Sequence, residues 1–245
     1  VSPADHLFAL VLVIVLPVYA GRVAPQLVHK LDTGLAGALL HEYRITIAIQ
    51  WALTLALVAS WPWQERALAD LGLQWPPTTV GRWVTLVAAG ATTIFFVRQA
   101  RVVARSASAR AQVRQQLARQ ATVQALIPRS PEEIRAFRAA AVTAGICEEV
   151  LYRGFGWWYA SAALGSGVLA FVAASVAFGL AHAYQGPRGI VMTGLVGAAA
   201  LGVYVATGSL VAPIVMHAVI DLTNGAMASH ALATAGDVPT RDSAA

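Results

Sequence analysis

Apolar runs separated by short polar breaks dominate the chain. A spanning helix needs about 20 mostly apolar residues. Leu7–Ala20 is such a run, extendable to about Ala24 if Arg22 snorkels. Ile45–Trp63 and Trp83–Val97 follow, the latter flanked by Trp75 and Trp83 as interfacial anchors. After a polar stretch, Ala139–Leu164, Val168–His182, Ile190–Thr207 and Leu210–Met227 complete the set. The pattern predicts an all-α, polytopic membrane helix bundle of about seven transmembrane helices, with six to eight within range. The N-terminal run lacks a basic flank and a small-residue cleavage site, so it reads as a first membrane helix.

Four segments follow. Residues 1–97 hold N-terminal transmembrane helices, and 98–130 form a basic helical connector. Residues 131–231 form a helical core, and 232–245 a small, polar tail expected to be disordered. In the connector, Val102, Val113, Leu117 and Ile127 are isolated apolar points among Ala, Arg and Gln. Ser130, Pro131 and Glu133 have the spacing of an N-cap, Pro at N1 and a capping box, which starts the next helix.

Composition agrees with a bilayer. The chain is 58% hydrophobic and only 12% charged, too apolar for a water-facing surface or a disordered chain. Its net charge of +5 is not spread at random. With 98–138 placed in the cytoplasm, alternation leaves only Arg66, Arg82 and the intramembrane Arg153 off that side, out of 17 basic residues. The positive-inside rule then gives an N-terminus outside and a C-terminus inside, and explains the charge without nucleic acid. The Arg-rich, Lys-poor usage points to a bacterial cytoplasmic membrane. One cysteine, Cys147, excludes an internal disulfide and a multi-cysteine zinc site. Glycine-rich phosphate loops are missing, so no nucleotide is expected.

The informative charges are those inside spans, where each costs about 2.5–3.5 kcal/mol on insertion scales. The seven runs contain four: Glu148, Glu149, Arg153 and Asp221. Two histidines, His182 and His217, lie at or within them. All six fall in three patterns: EExxxR at 148–153, FxxxH at 178–182 and HxxxD at 217–221. Glu149 and Arg153 are i and i+4, suited to a buried pair. Glu148 is rotated about 100° from Glu149 and so is free to face a polar cavity as a general base. His217 and Asp221 share one face, where the acid can orient the imidazole. The set can activate a water and stabilise an oxyanion, or hold one metal through two histidines and a carboxylate. Either way the reaction is amide hydrolysis at the membrane. Other schemes fail: His41-Glu42 lacks the second histidine of HExxH, Ser166 lacks a GxSG, and no pair of intramembrane aspartates exists.

These three ordered motifs, with the lead-in Leu210-Val211-Ala212-Pro213, resemble the CPBP family over about 131–224. That family comprises intramembrane CAAX proteases and bacteriocin-processing enzymes, also called Abi. The resemblance implies an intramembrane endopeptidase acting on a membrane-associated peptide or protein. It implies that Glu148 activates the water beside His182, and that His217 and Asp221 bind the oxyanion or a metal. Glu149 and Arg153 are then structural partners. Members are described as glutamic and as metallo-endopeptidases, so the cofactor is either one divalent ion such as zinc, held by His182, His217 and Asp221, or none. The family's last position is Asn or Asp, and an ionised Asp221 cannot donate a hydrogen bond. The competing class is non-enzymatic: a proton-coupled transporter or a bacteriocin-immunity binding protein.

One expectation tests the site. Straight, full-length helices would place His182 and His217 about 10 Å or more apart in depth. A shared site therefore requires short, tilted or offset helices.

Overall fold

The computed structural model describes residues 1–233; the expected tail, apart from its first two residues, lies outside them. Every described element is helical, in accord with an all-α polytopic bundle. We number the helices α1 (Pro3–Asp32), α2 (Ala38–Ser60), α3 (Thr79–Arg105), α4 (Ala107–Ala118) and α5 (Ala121–Ala125). The next is α6, which runs through 131–164. Last come α7 (Gly167–Ala181), α8 (Gly186–Thr207) and α9 (Val211–Ala233).

Five of these reach membrane-spanning length and apolarity: α1, α2, α3, α8 and α9. Two of the seven apolar runs differ from simple spans. The Val168–His182 run forms α7, only 15 residues or about 22 Å. The Ala139–Leu164 run is part of α6, which carries Glu148, Glu149 and Arg153 in its middle. The third run also extends further than its apolar stretch, to Arg105, because Ala and Arg continue a helix readily.

Local chemistry sets the boundaries. Ser130 accepts from the Glu133 amide while the Glu133 carboxylate accepts from the Ser130 amide, with Pro131 at N1, so the expected capping box starts α6. Backbone bonding widens to a π-helix over Glu149–Gly156, immediately after Glu148. Such stretches occur where side chains are redirected at functional sites.

Side-chain ties define two ends of the bundle. At one end, Arg114 Nη1 donates to the Ala231 carbonyl and Ser229 Oγ to that of Pro128. Tyr43 Oη donates to Leu126 O there at 2.5 Å. These bonds gather the basic connector, the start of α2 and the end of α9. At the other end, Leu210 N donates to Gly72 O at 3.0 Å and Ser209 Oγ to Gln74 O at 2.6 Å, folding the 61–78 loop against the start of α9. Arg66 belongs to this second end, so the charge asymmetry seen along the chain is also asymmetry in space.

Arg66 anchors α1 there. Its guanidinium donates two bonds to the buried Asp5, at 2.8 and 2.7 Å, and lies over Trp61 and Trp158. Replacing Arg66 by Met strands an ionised Asp5 in a buried site. The expected cost is about 3 kcal/mol, read as a lower thermal-unfolding midpoint in detergent.

Candidate active site

The site forms where α2, α6, α7 and α9 meet. Glu148 ends the α-helical first part of α6, and the π-helix begins at Glu149. The two adjacent acids therefore leave the helix toward different partners. Glu148 faces a cavity of about 380 Å³ lined also by Gln50, Tyr184, His182, His217 and Asp221. Glu149 is fully buried beneath it.

His182 and His217 do converge. His182 Nε2 is 3.8 Å and His217 Nε2 is 3.9 Å from the same oxygen, Glu148 Oε2. The short α7 is the reason: it stops at Ala181, and His182 is its C-cap rather than a residue at the far end of a full-length span. His217 lies in the second turn of α9, whose start is held by the 61–78 loop.

Each imidazole is fixed from behind. His182 Nδ1 sits 2.9 Å from the Phe178 carbonyl, one turn back on α7. A carbonyl only accepts, so this nitrogen carries the proton and neutral His182 presents Nε2 as an acceptor. His217 Nδ1 is 2.6 Å from Glu149 Oε1, a charge-assisted distance. The orienting acid of His217 is thus Glu149, not Asp221. Asp221 Oδ2 stands 3.5 Å from the opposite nitrogen, Nε2, and is the more exposed carboxylate. Glu149 also pairs with Arg153 Nη1 at 3.0 Å, in the i,i+4 arrangement expected from the sequence. A single buried carboxylate therefore joins a guanidinium to an imidazole.

Phe178 holds this group together. Arg153 Cζ lies 3.6 Å above its ring, and the rings of His182 and His217 lie 4.8 and 6.0 Å from it. The sequence signalled Phe178 only as a neighbour of His182. Gln50 went unmarked, because a neutral amide in the α2 run does not stand out as a charge does. In the structure its Nε2 donates to Glu148 Oε1 at 2.7 Å.

Close packing sets the register of α6 on α9. A Cβ built on Gly145 would lie 2.9 Å from both Cβ and N of Ala218, next to His217. Gly145→Val must push the helices apart. We expect a loss of about 1–3 kcal/mol in unfolding free energy, with a parallel fall in any activity that uses Glu148 and His217 together. Chemical denaturation and a turnover assay on the same preparation check this.

Among the described residues, no three His, Cys, Asp or Glu side chains are grouped to hold an ion. His217 spends Nδ1 on Glu149, so Nε2 is the nitrogen it presents to the cavity, 3.5 Å from Asp221 Oδ2 and 3.9 Å from Glu148 Oε2.

Residues 130–223 match the family model described as Rce1-like, the type II CAAX prenyl endopeptidases. The match covers α6 to α9 as far as Thr223 and includes all three motifs. It bears out the resemblance to the CPBP family and supports a membrane protease. No curated protein and no solved structure matches the chain.

Proposed function

We propose that this chain is an intramembrane endopeptidase in which Glu148 activates a water to cleave a peptide bond of a membrane-associated peptide or protein. The observation that carries this reading is the convergence of His182 Nε2 and His217 Nε2 on Glu148 Oε2, at 3.8 and 3.9 Å.

The geometry suits a water. An oxygen about 2.8 Å from both Glu148 Oε2 and His182 Nε2 sees them at about 85°, not far from the angle between its own hydrogens. One hydrogen points at the carboxylate and the other at the imidazole acceptor. A lone pair is left for the scissile carbonyl. As the C–O bond forms, Glu148 Oε2 takes the proton and the carbonyl π electrons move onto oxygen. His217, with Nδ1 bonded to Glu149, donates a hydrogen bond to that oxyanion through a proton that stays on Nε2. Asp221 flanks Nε2 and helps retain the proton between turnovers. Collapse of the tetrahedral intermediate breaks the C–N bond, and Glu148 returns its proton to the leaving nitrogen. Glu149 and Arg153 position His217 and neutralise each other.

The bilayer surrounds this site and supplies the substrate. From the charge at the connector end, we place that end in the cytoplasm of a bacterial cell, with the N-terminus outside.

The test is proteolysis in liposomes that contain the full chain and a panel of membrane-anchored peptides, run in water enriched in ¹⁸O. Release of an N-terminal fragment with one ¹⁸O in its new C-terminal carboxyl is the expected result. A properly folded chain that releases no fragment, with an unchanged membrane peptide profile in cells lacking it, overturns the proposal.

A further inference from the structure

We propose that Gln50 is a positioning residue for the attacking carboxylate, an inference that rests on the reading of Glu148 as the base. Gln50 lies in α2, outside the segment that matches the endopeptidase family. Its Nε2 donates to Glu148 Oε1 at 2.7 Å across 98 residues of sequence. The two oxygens of Glu148 thereby acquire different tasks. Oε1 is bound by the amide, and Oε2 is turned toward both imidazoles.

A glutamate needs such a tether. Its terminal torsion is broad and roughly two-fold, so rotamer preference alone does not aim an oxygen. Displacing a reacting group by about 1 Å can cost about 100-fold in rate. A neutral donor fixes the angle without introducing a second cation beside the base.

The alternative is that Gln50 merely glues α2 to α6, as polar residues often do between membrane helices. That contact has other supports. Trp51 Nε1 donates to Thr143 Oγ1 at 3.2 Å, and Tyr43 bonds to Leu126 just before α6. Gln50 faces the cavity itself.

The experiment compares Q50M, close in shape but without a donor, with Q50H, which restores an N–H. Both are made in the full chain in liposomes, with a peptide that the wild type cleaves. Q50M should lower kcat by about 10- to 100-fold, leave KM within about twofold of wild type and keep the unfolding midpoint. Q50H should recover most of kcat. The carboxylate infrared band of Glu148, isolated by subtracting the same variant carrying E148Q, should move in Q50M and return in Q50H. If Q50M does not fold, Q50N, one methylene too short, takes its place. Wild-type kcat in a folded Q50M, or equal losses in Q50M and Q50H with the band unmoved, overturns the proposal. Cleavage by E148Q at the wild-type rate removes the catalytic reading instead, and the band still reports whether Gln50 holds Glu148.

Discussion

Glu148→Gln should lower kcat for peptide cleavage by about 10³- to 10⁴-fold and leave the fold intact. The upper part of the range for general acid–base catalysis applies because one carboxylate both takes the water's proton and returns it to the amine. An amide of the same shape does neither. The contact to Gln50 survives, because an amide oxygen also accepts a hydrogen bond where Oε1 accepts one now. KM should change little, since the lost interaction belongs to the transition state. Turnover of a membrane-anchored peptide, with the unfolding midpoint measured alongside, checks the result. Retained turnover would remove Glu148 from the chemistry.

Glu149 should show the largest structural effect. It is fully buried, and its Oε1 meets Arg153 Nη1 at 3.0 Å and His217 Nδ1 at 2.6 Å. Glu149→Leu strands the Arg153 guanidinium, itself buried, and leaves His217 Nδ1 without its acceptor. Losing one partner of a buried pair costs about 3–5 kcal/mol. That is enough to lower the yield of folded protein visibly. Glu149→Gln separates the two functions. Its amide oxygen still accepts from His217 Nδ1, but it no longer balances Arg153. A milder loss of stability is expected, together with a fall in kcat of about 10- to 100-fold, because a neutral amide holds the imidazole less firmly than the charge-assisted bond does. Equal stability in the Leu variant and wild type would show that the pair is not the anchor described.

The sequence exposed the acids and histidines of the site because a charge in an apolar helix is costly and therefore conspicuous. Glu148, Glu149, Arg153 and Asp221 stood out for that reason. The pairing of Glu149 with Arg153 followed from helical spacing alone. The acid that orients His217 did not. Spacing favoured Asp221, one turn away, whereas contact between α6 and α9 at Gly145 and Ala218 delivers Glu149. Such a register is a property of two surfaces, and a single helix does not encode it. Nor did apolar length show that α7 stops short, which is what brings His182 to Glu148. The bundle class was legible throughout. The number of full-length spans was less so, because a hydrophobic run does not distinguish a crossing from a shorter buried helix.

The cavity beside Glu148 limits the shape of what it can accept. Its volume is about 380 Å³. In an intact helix each peptide carbonyl is held in the backbone hydrogen-bond ladder and sheathed by side chains that make the helix about 10–12 Å across, so in the reading proposed above a peptide bond reaches the water from chain that has left that ladder. Loose termini and helix ends that fray already have that form. For any other substrate, the free energy of local unwinding adds to the barrier, and cleavage rate becomes a measure of how readily that segment opens.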